Sequence, residues 1–369
     1  MTTEPRSARS LARAEVRALP LHAPDLAECA VDVSDNTNLW GAPPAARRAL
    51  TEAPDAALTR YPSLYSTPLR EAVLRYVGLD RAVGIGIVTG CGSDDVIDST
   101  MRAFGAPGDR IAFSAPSFSM IPTFARLNGL DPVSIPLSAR FDVDAERLVH
   151  IGAKITYLCT PNNPTATALS REAVEYVAAH ASGIVLLDEA YGEFAPETFV
   201  DLVQRHDRLL VTRTFSKAFG LAGLRVGYGI GGPEVVAMVE RARGPYKVNA
   251  LAERAVLATL DESDDALGWV RAHAALAVEN RERLAAGLRA LGFVPLPSAA
   301  NFVFVPTPRA RLLAHGLRER GVLVRTFVGL PVDLPPLAAS EGAALRIGVG
   351  PWETMQTVLD ALGAVEAVA

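Results

Sequence analysis

The chain has 369 residues, of which 49% are hydrophobic and 21% charged, and its formal net charge at pH 7 is -5. This is the composition of a soluble globular protein of two or three domains. The modest charge argues against a nucleic-acid-binding protein, and no apolar run approaches the ~20 residues of a membrane span. Three widely spaced cysteines, Cys29, Cys91 and Cys159, indicate neither a disulfide framework nor a zinc site. We therefore expect a cytoplasmic protein without a metal.

The N-terminal segment, residues 1–44, is predicted to be an arm followed by a loop. It contains acidic as well as basic residues and lacks the apolar core of a signal peptide. His22 lies in the arm, and the loop "SDNTNLWGAPP" presents Asn36, Asn38 and Trp40 beside residues that break regular structure. A further loop, framed by two prolines, carries Tyr61 just before an amphipathic helix.

A glycine-rich stretch, "GIGIVTGCGSDDVIDSTMRAF", comes next. Its glycines do not have dinucleotide-binding spacing, because residues 85–88 form a β-type run and the following helix opens at Gly92, Ser93 and Asp94. Bare backbone N–H groups at a helix N-terminus favour an anion, so these three residues form a candidate phosphate cradle.

Short β-rich runs then alternate with helical ones, a pattern typical of an α/β fold with a mostly parallel sheet. Asn163, Asp188, Tyr191 and Lys217 each follow an apolar run. Ligands of such sheets bind beyond the carboxyl ends of the strands, so we expect these four side chains to meet there.

The segment "TFSKAFGLAGLRVGY" contains the most informative of these positions. The amine of Lys217 can form a Schiff base with an aldehyde. The hydroxyls of Thr214 and Ser216 and the guanidinium of Arg225 can bind a phosphate. The pattern predicts a site that holds an aldehyde and a phosphate together.

The C-terminal part, residues 246–369, is predicted to be a smaller α/β domain that closes over this site. It begins with a long helical segment, roughly residues 251–291, followed by a strand pair in "FVPLPSAANFVFV". Arg325 and Arg346 each follow an apolar run and are expected at strand ends. Arginine rarely faces a core without an anionic partner, so both are candidates for substrate binding.

Nearly the whole chain resembles the fold-type I pyridoxal-phosphate (PLP) enzymes of aminotransferase class I/II. The Lys217 segment, "GCGSDD" and "LRIGVG" are similar to segments of the histidinol-phosphate aminotransferase subgroup. The resemblance implies an aspartate-aminotransferase-like fold with residues 1–44 as arm and substrate loop, 45–245 as large PLP-binding domain and 246–369 as small domain. It also implies an amino donor and a 2-oxo acid acceptor as substrates, and a homodimer with shared active sites.

The resemblance assigns roles residue by residue. Lys217 corresponds to the cofactor lysine, Asp188 to the partner of the pyridinium nitrogen, and Phe118 to an aromatic that stacks on the ring. Asn163 and Tyr191 would donate to the phenolate oxygen. Phosphate binding falls to Gly92, Ser93, Asp94, Thr214, Ser216 and Arg225, with Tyr61 reaching in from the other subunit. Arg346 would bind the substrate carboxylate, with Arg325, Asn38, Trp40 and His22 as further substrate contacts.

The chain departs from the subgroup mainly on the substrate side. "NTNLWG" stands where the subgroup has "NENPYG", and His22 replaces a tyrosine expected near the substrate phosphate. The amino substrate is therefore left open among histidinol phosphate, an aromatic and a specialised amino acid. Two other activities also stay open: a phospho-amino-acid decarboxylase of the same fold, and a non-catalytic PLP-binding regulator. The regulator would need an added DNA-binding domain, for which about forty residues before the first site loop are too few.

Overall fold

The structure, a computed structural model, describes residues 7–19, 29–261, 263 and 265–367. His22, a predicted substrate contact, lies outside the described residues. The strands are β1 (Val31–Asp32), β2 (Gly86–Gly90), β3 (Arg110–Ala115), β4 (Asp131–Pro136), β5 (Ile155–Cys159), β6 (Ile184–Asp188), β7 (Leu209–Thr214), β8 (Gly227–Gly231), β9 (Phe302–Pro306), β10 (Val322–Leu323), β11 (Arg325–Phe327) and β12 (Ala344–Gly348).

Helices cover the sheets and connect them. They are α1 (Ala8–Leu11), α2 (Ala14–Ala18), α3 (Pro44–Thr51), α4 (Ala56–Thr59), α5 (Thr67–Tyr76), α6 (Ser93–Phe104), α7 (Met120–Leu127), α8 (Ala145–His150), α9 (Arg171–His180), α10 (Pro233–Ala242), α11 (Ala250–Leu260), α12 (Ala266–Ala290), α13 (Ala310–Glu319), α14 (Pro335–Ala339) and α15 (Trp352–Glu366). Short 3₁₀ turns cover Gly192–Phe194, Val200–Gln204 and Ala222–Leu224.

A seven-stranded sheet forms the centre of the fold, in the order β2-β8-β7-β6-β5-β3-β4. The pairings among β3 to β7 are parallel, whereas β8 runs antiparallel to both β7 and β2. β5, β6 and β7 are buried along their whole length, which explains their nearly continuous apolar sequences. This mostly parallel sheet confirms the predicted fold class.

Alternate side chains of these strands supply two separate cores. Leu158, Leu187 and Val211 belong to the larger apolar cluster, while Leu186 and Leu210 belong to the smaller one on the other face. Because successive strand residues point to opposite faces, one apolar run serves both cores. The sheet is thereby held rigidly from both sides, and its carboxyl ends are fixed in place.

Two small sheets complete the chain. β9, β12 and β11 form an antiparallel sheet in the order β11-β12-β9, and β1 pairs in parallel with β10. The strand that follows the N-terminal arm is therefore tied to the C-terminal part of the chain. α11 packs against α3 and α5, although it follows the predicted boundary at residue 245. The domain limits themselves stay predictions.

Three expectations for the C-terminal part were wrong. The single helical segment over 251–291 is two helices, α11 and α12, separated by a turn in which Asp261 accepts the backbone N–H of Ser263 at 2.9 Å. Of the predicted strand pair, only β9 forms. Arg346 lies in the middle of β12 rather than at a strand end, whereas Arg325 is at an end as expected, being the first residue of β11.

Candidate active site

A cavity of about 670 Å³ lies beyond the carboxyl ends of β5, β6 and β7, as the strand pattern predicts. The small antiparallel sheet closes its other side through β11 and β12. The predicted site residues on its wall are Ser93, Asp94, Phe118, Asn163, Asp188, Tyr191, Thr214, Ser216, Lys217, Arg225, Arg325 and Arg346.

Lys217 lies three residues beyond the end of β7. Its Nζ donates to the backbone carbonyl oxygen of Asp35 at 3.1 Å and lies 5.7 Å from the ring centroid of Tyr191. Burial, and next the nearby Arg346 guanidinium, lower the pKa of Lys217 to about 8. A much larger share of this amine is uncharged near neutral pH than in an ordinary lysine, which makes it a competent nucleophile.

Asp188 is the last residue of β6 and is almost completely buried. Its Oδ1 accepts the N–H of Ala190 at 3.0 Å, and its Oδ2 accepts the hydroxyl of Tyr157 at 2.9 Å. Burial raises the pKa of Asp188 to about 6, while the Tyr157 hydrogen bond opposes the rise. A carboxylate held in this way is well suited to pair with a cationic ring nitrogen.

Asn163 and Tyr191 each present a donor group to a ligand, an amide nitrogen and a hydroxyl respectively. The Oδ1 of Asn163 accepts from Arg346 Nη1 at 2.8 Å, which turns its amide nitrogen away from that contact. The Tyr191 oxygen accepts from Asn36 Nδ2 at 3.2 Å, so its own hydroxyl proton stays available. Burial raises the pKa of Tyr191 to about 12 and therefore keeps this proton in place.

A cluster of donors surrounds the N-terminus of α6. Arg225 Nη1 donates to Ser216 Oγ at 3.3 Å, and the Thr214 hydroxyl donates to the same oxygen at 3.0 Å. Gly92 has a φ of +83°, and a Cβ added there would lie 2.6 Å from Arg225 Nη2. A side chain at position 92 would therefore crowd the Arg225 guanidinium. Backbone N–H groups, hydroxyls and this guanidinium lie close together here, which is an arrangement suited to a phosphate.

The substrate side contains two arginines in register, since Arg325 on β11 pairs with Arg346 on β12. The Arg346 guanidinium lies between the rings of Phe302 and Phe327, at 5.4 and 5.6 Å from their centroids. Its Nη2 donates to the Ser34 carbonyl, while its Nε makes no hydrogen bond within the described residues. The side chain is thereby fixed as a planar cation at the cavity wall.

Four predicted site residues do not line this cavity in the described part of the chain. Asn38 donates to the carbonyl of Ala218 at 2.9 Å, and the Trp40 ring packs edge-on against His273. Gly92 contributes backbone at the base of the cradle. Tyr61 is 83% exposed and stacks on Tyr246. The contacts of these residues with substrate or cofactor stay predictions.

The sequence predicts no role for three residues that hold site residues in place, although Asn36 is one of those presented by the substrate loop. Asp35 positions Lys217 through a backbone carbonyl, Asn36 holds Tyr191, and Tyr157 holds Asp188. Asp35 and Asn36 come from the loop before α3, about 180 and 155 residues away along the chain from their partners. The only available signal was their place in the "SDNTN" loop beside the predicted substrate contacts.

A model of the family "Aminotransferase class I and II" matches residues 29–362, which is most of the chain. The chain belongs to this aminotransferase family. A histidinol-phosphate aminotransferase of Roseiflexus castenholzii is 39% identical over 346 residues, covering 90% of this chain and 88% of the relative. An aromatic amino acid aminotransferase of Mycobacterium bovis is 35% identical over 356 residues, covering 93% and 99%.

Solved structures agree on the fold of this aminotransferase. Histidinol-phosphate aminotransferase from Sinorhizobium meliloti, in complex with pyridoxal-5'-phosphate, superposes with a TM-score of 0.86 at 24% identity, covering 98% of this chain and 100% of that one. Aspartate aminotransferase from Thermus thermophilus with maleate gives a TM-score of 0.77 at 21% identity, covering 91% and 92%. Membership of the family confirms the predicted family, the aminotransferase activity and PLP as the cofactor, and the solved structures confirm the aspartate-aminotransferase-like fold.

The residues of this cavity fit PLP on chemical grounds. A partly uncharged amine, a buried carboxylate and a helix N-terminus with hydroxyl and guanidinium donors lie around one space. No group of three His, Cys, Asp or Glu side chains within the described ranges could hold a metal ion. In the same part of the chain, every helix is too short or too polar to cross a bilayer.

Proposed function

We propose that this aminotransferase moves an amino group between an amino acid or amine and a 2-oxo acid such as 2-oxoglutarate, at the cavity around Lys217. The proposal rests on one observation: Lys217, Asp188 and Arg346 all line the same cavity. They provide an amine for the cofactor, a carboxylate for its ring and a cation for the substrate. The general activity follows from the family, whereas these residue roles are our assignments.

The cofactor would supply an aldehyde that carries the amino group and a ring that withdraws electrons. Lys217 would hold it covalently and move the proton between substrate carbon and cofactor. Asp188 would keep the ring nitrogen protonated. Asn163 and Tyr191 would donate to the phenolate oxygen, and Phe118 would face the ring. Each role uses a group that the cavity already presents.

The phosphate of the cofactor would sit at the N-terminus of α6. Ser93 and Asp94 begin this helix, and their backbone N–H groups have no partner within it. Arg225, Ser216 and Thr214 face the same place. Burial raises the pKa of the Asp94 carboxyl, and Arg225 opposes this rise. Asp94 would therefore contribute through its backbone N–H while its side chain orients the arginine.

Arg346 would bind the carboxylate shared by glutamate and 2-oxoglutarate. Its planar fork can bind a carboxylate bidentately, and the flanking rings of Phe302 and Phe327 fix its plane. Arg325 adds a second cation, which suits a phosphate or a second carboxylate. Leu330 and Phe327 provide apolar wall beside it. The amino substrates that fit are a histidinol phosphate-like amine and an aromatic or specialised amino acid.

Replacing Arg325 by alanine should separate these substrates. We expect kcat/KM to fall by about 10- to 100-fold for a substrate with a phosphate or a second carboxylate, because its ion pair with Arg325 is lost. The value of kcat/KM for an aromatic amino acid without a second anionic group should change little. The measurement is a panel of single-turnover reactions followed by the visible absorbance of the cofactor. Arg311→Ala, an exposed arginine on α13, is the control.

An equal loss for all substrates would contradict a selective role for Arg325. Rapid conversion of histidinol phosphate, together with selective loss in Arg325→Ala, would identify it as the substrate. Release of carbon dioxide without amino transfer would instead favour the decarboxylase of the same fold.

We further propose that the protein is a homodimer whose subunits share their active sites. Support comes from an exposed apolar patch, defined by Leu58, Tyr61, Leu64, Tyr65 and Tyr246. Tyr61 and Tyr246 stack with 4.8 Å between ring centroids. Exposed aromatics of this kind are typical of protein interfaces, and Tyr61 does not line the cavity of its own chain.

Tyr61→Phe should weaken cofactor binding without changing assembly. The lost hydroxyl would remove one hydrogen bond to the phosphate, so we expect about a 10-fold higher dissociation constant for PLP. Fluorescence titration of the cofactor-free protein measures this, and sedimentation measures the oligomer. Tyr176→Phe, a partly exposed tyrosine on α9, is the control. A fully active monomer would exclude the shared site.

The three cysteines are free thiols, Cys29, Cys91 and Cys159. We propose a cytoplasmic location, because disulfides are rare in such reducing compartments and free thiols persist there.

A further inference from the structure

A tyrosine on the neighbouring strand contacts the carboxylate of Asp188. Tyr157 lies on β5, is 1% exposed and packs in the smaller apolar cluster. Its hydroxyl donates to Asp188 Oδ2 at 2.9 Å. Residues 157 and 188 do not pair directly in the sheet, since Cys159 is the register partner of Asp188. The contact is therefore made by the full reach of the phenol ring.

The Tyr157 hydrogen bond differs from the other contacts of Asp188, because those contacts are made to the other carboxylate oxygen. Oδ1 accepts from the Ala190 N–H at 3.0 Å and lies 3.4 Å from the Thr212 hydroxyl. For Oδ2, by contrast, Tyr157 is the donor within the described part of the chain. A buried carboxylate oxygen needs such a donor, because burial alone favours the protonated acid.

We infer that Tyr157 is a positioning residue for transamination, because its hydroxyl fixes the orientation of the Asp188 carboxylate and favours its ionised form. The inference rests on the proposed role of Asp188 toward the cofactor ring. Tyr157 does not itself line the cavity, so its effect on the reaction passes through Asp188.

The titratable groups that face Asp188 come from three other places in the fold. They are Tyr157 and Cys159 from β5, Asp94 from α6, and Tyr191 beyond β6. Burial raises the pKa of both Tyr157 and Cys159, so both stay neutral at working pH. Asp94 adds a repulsion that raises the pKa of Asp188, and the Tyr157 hydrogen bond acts against that effect.

The test compares Tyr157→Phe with wild type and with Tyr228→Phe. Tyr228 is equally buried in the same sheet, but its ring packs against Phe215 and its hydroxyl lies beside Arg213 and Glu193. In Tyr157→Phe we expect the acid limb of the kcat profile to move up by about one pH unit. We also expect PLP to bind about tenfold more weakly to the cofactor-free protein. Tyr228→Phe should change neither quantity.

Two further variants test whether the effect of Tyr157 depends on the Asp188 carboxylate and on the donor strength of the Tyr157 hydroxyl. In an Asp188→Asn background, Tyr157→Phe should have no added effect on the pH limb, since no carboxylate is left to hold. If Tyr157→Phe fails to fold, 3-fluorotyrosine at position 157 retains the ring and hydroxyl but donates more strongly, and should move the acid limb down. An unchanged limb and unchanged PLP affinity in Tyr157→Phe, or an unchanged limb with fluorotyrosine, would overturn the inference. Wild-type kcat in Asp188→Asn would instead overturn the role of Asp188 itself.

Discussion

Lys217→Ala should abolish transamination and the covalent attachment of the cofactor together. The chain has three lysines, Lys154, Lys217 and Lys247, and of these Lys217 lines the cavity. Lys154 is exposed and Lys247 pairs with Asp95 at 2.8 Å. Since the nucleophile and the proton-transfer group are lost in one substitution, we expect kcat to fall by about 10³-fold or more.

The measurement is borohydride reduction followed by mass spectrometry of the chain, alongside turnover. Wild type and Lys247→Ala should each retain one cofactor mass after reduction, on the peptide that contains Lys217. Lys217→Ala should retain none. A cofactor fixed to Lys154 or Lys247 in the variant would show that the assignment of the lysine is wrong.

The same lysine gives a pH dependence with a defined sign. Its pKa is lowered from 10.5 to about 8, chiefly by burial, so the uncharged amine is already abundant above pH 8 in the folded protein. The rate at which PLP recombines with cofactor-free protein should therefore rise with pH around a midpoint near 8. A midpoint near 10 would indicate an ordinary, solvated lysine.

Four of the cavity residues predicted from the sequence, Asn163, Asp188, Tyr191 and Lys217, lie at or within four residues beyond the end of an apolar strand. Asp188 ends β6, and Lys217 comes three residues after β7. A parallel sheet brings such positions to one edge regardless of how far apart they lie in the chain. Local sequence therefore suffices to place them together.

The residues that hold Asp188 and Lys217 in place could not be predicted from the local sequence. Tyr157 lies inside the apolar run of β5, where a tyrosine is normally interpreted as packing. Asp35 acts through its backbone carbonyl, which any residue type would provide. Contacts of these kinds depend on register between strands and on the path of a distant loop, and neither can be read from local pattern.

Local chemistry explains why two predictions for the C-terminal part were wrong. "LDESDDALG" contains turn and capping residues, and Asp261 uses its side chain to start a turn at Ser263. The predicted strand pair failed because Pro295 and Pro297 have no N–H to donate to a ladder. A single hydrogen bond from Leu296 N to Phe304 O, at 2.9 Å, joins this segment to β9.

Asp188→Asn should reduce kcat by about 10²-fold or more while leaving the fold intact. The substitution removes the charge that keeps the cofactor ring nitrogen protonated, and loss of such an electrostatic partner in a closed site has effects of this size. The amide nearly preserves the shape of the carboxyl. Its NH₂ group can donate to the Tyr157 oxygen, because a hydroxyl is both donor and acceptor.

The thermal stability of the cofactor-free protein tests Asp188 independently of kcat. Here the substitution is expected to cause no loss, in contrast to its effect on kcat. The folded-state pKa of Asp188, about 6, lies above its ordinary value of 3.8 because burial disfavours the carboxylate. Asp188 therefore lowers the stability of the cofactor-free protein progressively as pH rises from about 3.8 through 6. At pH 8 the Asp188→Asn protein should melt no lower than wild type, and any gain should vanish near pH 4.

Thermal melts with and without PLP, together with single-turnover rates, measure both effects. Asp98→Asn on α6, which removes a carboxylate that pairs with Arg102, is the control and should keep wild-type kcat. A variant that folds, binds PLP and transfers amino groups at the wild-type rate would show that another group keeps the ring nitrogen protonated. A variant that loses kcat but melts as predicted would establish that Asp188 is retained for the reaction, since the cofactor-free fold is no less stable without its charge.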